Sequence, residues 1–185
     1  MVGANDRAPM KGAAFWIAML AFCAAPPTRA QAEISEYQRK ALFLTRFAEF
    51  VKWPAKAFSG PGAPIVITVL GDDPFDGALE QAVKRKVVSG RKIAVRRALR
   101  AEDLKGCHIA FIANSEKARC PEIVASLGGA STLVVGDTEQ IARQGGAIGF
   151  KMVGTAVRFE INGGAIRRAG LEASSRLLKL SRGGE

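Results

Sequence analysis

The residues best placed to do chemistry follow short β-branched or apolar runs. Asp72 and Asp73 come after the run at 65–70, Asn114-Ser115-Glu116 after 107–113, and Asp137-Thr138 after 132–136. Polar side chains just past strand ends are where an open α/β sheet holds a small ligand, so Asp72, Asn114 and Asp137 mark a candidate ligand crevice. With Lys151 in a fifth strand, the same layout resembles a phosphorylated receiver domain. That chemistry needs an Asp after the third strand to accept phosphate, and Asn114 stands there instead. The same Asp, Asn and Ser residues also suit helix caps and turns, because their short side chains bond to nearby backbone.

Other chemistries find less support. A nucleotide site wants a glycine-rich loop whose amides reach phosphate at a helix start, whereas Gly71-Asp72-Asp73-Pro74-Phe75 puts two carboxylates and a proline there. Metal binding needs three or four converging ligands. His108 is the only histidine; it adjoins Cys107 in a strand, and neighbouring strand residues point to opposite faces. Ser115, Ser174 and Ser175 are available as nucleophiles, but none lies in a G-x-S-x-G elbow. No catalytic residue, metal or cofactor is expected, and a hydrolase remains a formal alternative.

These residues require a scaffold. Between 34 and 52 the apolar Tyr37, Ala41, Leu44, Ala48 and Val51 recur at three and four, widened by Phe43, Phe47 and Phe50, with Arg39, Lys40, Arg46, Glu49 and Lys52 mostly elsewhere. The spacing predicts an amphipathic helix that ends near Trp53, because Pro54 disfavours helix before it. Core packing is its expected use, with Trp53 partly exposed; a lipid-facing helix is the alternative. Strands at 65–70, 92–97, 107–113 and 132–136 then alternate with helices at 75–84, 101–105, 115–127 and 139–143. Runs at 147–152 and 155–161, joined by Val153-Gly154, describe an antiparallel hairpin. A helix of about seven residues runs to Gly170, and Ser174-Ser175 cap a last one through Leu180. The expected fold is a single α/β domain: a mostly parallel open sheet, helices on both faces, and a C-terminal hairpin.

Composition bounds the partners. The 185 residues are 48% hydrophobic and carry 27 basic against 17 acidic side chains, a formal charge of +10. That excludes a disordered chain or a multispan membrane protein and favours an anionic partner. Arg7 and Lys11 precede a 13-residue apolar run from Ala13 to Ala25, followed by Ala30-Gln31-Ala32. The run is too short to span ~30 Å of hydrocarbon but fits a secretory signal. Residues 1–32 are read as a cleaved leader and 33–185 as the mature domain in the periplasm. Export argues against nucleic acid and leaves an acidic protein face or anionic lipid as partner, without stable membrane insertion.

Cys23 leaves with the leader, so the mature chain keeps Cys107 and Cys120. Six strand residues advance roughly 20 Å and the helix returns only about 7 Å. With sheet and helix ~10 Å apart as well, the two lie beyond the ~7 Å limit for a disulfide. The two thiols are therefore expected unbridged.

Several segments, taken in order, resemble one family. They are Lys40-Ala41-Leu42-Phe43-Leu44 with Phe47 to Pro54, and Val69-Leu70-Gly71-Asp72-Asp73-Pro74-Phe75. Gly106 to Ile112, Val157-Arg158-Phe159-Glu160-Ile161-Asn162 and Arg168 to Leu180 complete the set. Together these resemble the YfiR family of bacterial periplasmic proteins over about residues 40–180. The resemblance implies a non-enzymatic regulator that binds the periplasmic part of a membrane diguanylate cyclase, holds it inactive and lowers cyclic di-GMP; a sensor kinase is the other client type. It leaves a homodimer open. Where disulfide-using members resemble I-C-V-L-G, this chain has Ile67-Thr68-Val69-Leu70-Gly71, which argues against redox control by that route. The partner-binding face is placed on the C-terminal third, at Arg158, Glu160, Arg167, Arg168 and Arg176, with the Trp53 corner as the next candidate. The alternative there is that Glu160 pairs internally with one of those arginines.

The leader reading gives the first expected outcome. Intact mass of the exported protein should correspond to a chain starting at Glu33; a species that retains residues 1–32 or bears a lipid on Cys23 would refute it.

Overall fold

The computed structural model describes residues 34–182, so the expected leader lies outside the described residues. Helix α1 (Glu36–Phe50) starts at a reciprocal cap: Gln38 N–H donates to Ser35 Oγ at 3.2 Å, and Ser35 N–H donates to Gln38 Oε1 at 2.8 Å. It ends earlier than the expected residue 52. Val51 and Lys52 leave the helix as strand β1 (Val51–Lys52), which pairs antiparallel with β9 (Glu172–Ala173) in a small separate ribbon.

The main sheet contains β2 (Ile65–Leu70), β3 (Val87–Val88), β4 (Arg91–Ala98), β5 (Ile109–Ile112), β6 (Leu133–Gly136), β7 (Ile148–Val153) and β8 (Ala156–Ile161). Its order is β3-β4-β2-β5-β6-β7-β8. Strands β4, β2, β5, β6 and β7 are parallel, while β3 and β8 run antiparallel at the two edges. The expected architecture is therefore present, with α2 (Ala78–Val83), α3 (Cys120–Ser126), α4 (Gln140–Arg143), α5 (Gly163–Arg168) and α6 (Ser175–Arg182) around it.

Three expected helices are shorter or tighter. Phe75 N–H donates to Asp73 Oδ1 at 2.9 Å, and Asp76 and Gly77 adopt φ of 46° and 78°, so the helix expected at 75–84 forms only at α2. Residues 101–104 and 114–119 are 3-10 turns. Pro121 sits in the first turn of α3, where its missing N–H breaks no helical bond.

Period-two alternation divides the interior into two cores. On the first face Ile109 and Phe111 meet Leu44 and Phe47 of α1, Leu79 of α2 and Leu177 of α6. Its centre is aromatic: Phe47 lies 5.1 Å from Phe159 edge-on and 5.8 Å from Phe150 in a stack. On the second face Ala110 and Ile112 meet Leu104, Ile123 of α3 and Ile141 of α4. Cys107 and Cys120 both lie in this second core as free thiols, as expected, and burial pushes each up to about 11.

His108, next in sequence to Cys107, packs against the aromatic corner that follows α1. Half-buried Trp53 donates from Nε1 to the His108 carbonyl at 3.2 Å, Phe58 lies 4.5 Å from the imidazole, and the Arg91 guanidinium covers Phe58 at 3.8 Å. The imidazole is buried, and its Nδ1 accepts the Val66 N–H at 3.1 Å, which a protonated ring cannot do. Burial lowers its pKa, and the nearby Arg91 and Arg96 charges act in the same direction.

A base whose folded pKa lies below its unfolded value stabilises the fold fully above that unfolded value, about 6.5 for histidine, and loses the contribution as pH falls through the folded one. Chemical denaturation should therefore show stability declining from about pH 6.5 downward, with His108→Asn lacking that step. Identical profiles for the two proteins across this window would show that His108 is not the titrating group.

Candidate functional site

The expected crevice lies at the carboxyl ends of β2, β5 and β6. At the boundary between β2 and β5, where the strand order reverses, the chain fills the space itself. Asp72 N–H donates to Ser115 Oγ at 3.0 Å. Gly71, at φ 91°, is packed so closely that an added Cβ would lie 2.5 Å from that hydroxyl and 2.8 Å from Glu116 Cγ. Asp72 and Asn114, next to this contact in sequence, are both exposed. Asp73 is committed as well: it accepts from Arg97, whose guanidinium also engages Glu80. Asp72 and Asn114 thus act as turn residues beside a closed seam.

Asp137 does something else. Its N–H donates to the Ile112 carbonyl at 3.1 Å, which fixes its position beyond β6, and its side chain is only 4% exposed. One oxygen pairs with Lys40 Nζ at 2.7 Å and the other accepts from Tyr37 Oη at 3.0 Å. Glu36 also contacts Lys40, whose ammonium lies 4.6 Å from the Tyr37 ring centre. Burial raises the Tyr37 pKa above its usual value, and the Asp137 charge adds to the rise. This Lys40–Asp137–Tyr37 group engages both Asp137 oxygens, and burial of the carboxylate keeps a ligand from reaching it. Lys40 is a correction to the sequence reading: it lies on the buried face of α1. Its spacing from Tyr37 and Leu44, three residues back and four ahead, was the available signal.

The residues expected to bind a partner occupy several surfaces. In the hairpin, Val157 and Phe159 enter the first core, so Arg158 and Glu160 face the other way. Glu160 pairs with Lys151 Nζ at 2.8 Å, not with an arginine. Lys151 stands opposite Arg158 on the adjacent strand, within diagonal reach of Glu160. That bond lowers the Glu160 pKa, helped by the Arg143 charge. Asn162 caps α5 by accepting from Ala165 N–H at 3.0 Å and donating to Ala142 O at 2.9 Å. The exposed Arg167 and Arg168 occupy the last turn of that helix. Arg168 also lines a cavity of about 470 Å³ with Val124, Leu127 and Thr132. Arg176 projects from α6 on the first face, and Trp53 belongs to the His108 corner. Among the described residues, no three His, Cys, Asp or Glu side chains gather where a metal could sit.

Removing one partner of a buried pair strands the other charge, which costs about 3–5 kcal/mol. Lys40→Met and Asp137→Asn should each lower unfolding stability by about that much, and the double variant should be more stable than either single one. Single variants within about 0.5 kcal/mol of the parent would show the pair to be incidental.

No curated protein matches the chain. The family model described as YfiR/HmsC-like matches residues 37–182, from the helix that carries Tyr37 and Lys40 to the last residue of α6. Sheet, ion pair and hairpin all fall within that match, and the chain belongs to the YfiR/HmsC-like family.

Proposed function

We propose that this protein is an exported, non-enzymatic regulator that docks on the periplasmic domain of a membrane diguanylate cyclase, holds it inactive and so lowers cyclic di-GMP. Family membership supports the regulatory role. Among the described residues no helix is long and apolar enough to cross a membrane. The docking face is assigned to the hairpin edge and α5. The observation that carries it is the pairing of a sheet edge with free charge. Strand β8 has a strand neighbour only on its β7 side, and Arg167 and Arg168 have no carboxylate partner among the described residues. Such rim cations steer an acidic partner and set association rate and salt dependence. A small-ligand module at the strand ends has less support, since Ser115 and Asp137 close that region.

Neutralising Arg167 and Arg168 to Gln should release cyclase activity in cells and weaken capture of the cyclase from solubilised membranes. Melting should fall by a few degrees at most, because surface cations in a last helical turn contribute about 0.3–1 kcal/mol each. If the double variant folds normally and still represses fully, the docking face lies elsewhere on the molecule.

A further inference from the structure

The outer surface of α1 and α6 carries a feature that the docking face does not use. Arg46 and Phe50 of α1 and Arg176, Lys179 and Leu180 of α6 line a shallow groove of about 320 Å³. Its apolar floor is Phe50 and Leu180, both half-buried, and its three cations are exposed. No carboxylate lines it, and none of the three cations makes an ion pair among the described residues. Other cations are paired, as Lys86 is with Glu49, Arg97 with Asp73 and Glu80, and Arg143 with Glu139, while further exposed ones such as Lys84, Arg85 and Lys92 make no ion pair among the described residues. What sets this groove apart is that three unpaired cations converge on an apolar floor.

Leu42, one turn before Arg46 on α1, is 46% exposed and lies outside the groove, on the side of α1 that faces α2 beside Gln38 and Ala82. An ion or small solute seated in the groove would leave Leu42 in water. A lipid headgroup layer would cover it, since cations ringed around apolar side chains are the signature of a helix lying in a membrane interface. We infer that the α1–α6 surface is a peripheral binding site for anionic phospholipid, with Arg46, Arg176 and Lys179 on the phosphates and Leu42, Phe50 and Leu180 at the acyl boundary. Such contact would hold the regulator against the bilayer in which its client resides, without insertion.

The test uses the exported form that begins at Glu33, whose buried core lies wholly within residues 41–177. It should cosediment with vesicles of phosphatidylcholine mixed with phosphatidylglycerol, and not with pure phosphatidylcholine, and added salt should weaken the binding. Each cation near an anionic surface contributes about 1 kcal/mol. Arg46→Ser/Arg176→Ser/Lys179→Ser should then reduce partitioning on the order of 100-fold. The control, Lys84→Ser/Arg85→Ser/Lys92→Ser, removes equal charge from exposed positions elsewhere and should retain most binding.

Equal loss in the two triple variants would overturn the inference in favour of net charge alone. So would absence of vesicle binding, or saturable binding of inorganic phosphate or polyglutamate without vesicle binding. The vesicles contain no cyclase, so failure here leaves the regulatory reading intact.

Discussion

The buried contact between Lys40 and Asp137 fixes how helix α1 lies on the sheet, and much of the surface follows from it. An ammonium and a carboxylate that are 3% and 4% exposed are tolerable only when each is satisfied in place. Lys40 has Glu36, Asp137 and the Tyr37 face; Asp137 has Lys40 and the Tyr37 hydroxyl. Apolar contacts set the register of the helix through shape, since Phe47 interlocks with Phe150 and Phe159. A buried pair with directional bonds adds to that constraint, because a shift that separates Lys40 from Asp137 leaves a buried carboxylate short of its partner.

With α1 held in that register, the aromatic interior of the first face is assembled around it. Phe47 is brought against Phe150 and Phe159, so the same helix that meets the end of β6 also packs on the hairpin. The chain then continues through β1, which pairs with β9 and so ties the end of α1 to the segment before α6. Helix α6 reaches the outer flank of α1 by this route, and the groove between Arg46, Phe50, Arg176 and Lys179 is a consequence. On the second face the chain uses shorter helices and 3-10 turns.

Charge is distributed unevenly as a result. Acidic side chains are largely engaged in capping, turns or pairing, as with Asp73, Asp137 and Glu160. Several cations at the periphery have no such partner among the described residues. An excess of unpaired cations adds little to folding, but it raises the local concentration of anionic surfaces and partners. That agrees with a protein that acts by docking. The strand-end region, where an α/β sheet most readily builds a ligand site, is occupied by Ser115 and Glu116 on one side and by the buried pair on the other.

The sequence by itself determined the fold class. A continuous apolar run such as 65–70 and an alternating one such as 155–161, separated by Gly- and Asp-rich turns, leave few alternatives to an alternating α/β sheet that ends in a hairpin. The two-residue strands β1, β3 and β9 were not legible, because a pair of residues carries no periodicity. The family resemblance was legible too, since it rests on order along the chain. The partners of individual charges were not. Asp137 read as an open strand-end carboxylate and Glu160 as a docking residue or a mate for arginine, yet their partners are Lys40, 97 residues away, and Lys151 on the adjacent strand. Sequence specifies which side chains are ionisable and which face of an element is apolar. Which opposite charge arrives within 3 Å depends on strand order and helix register, and only the tertiary structure decides these.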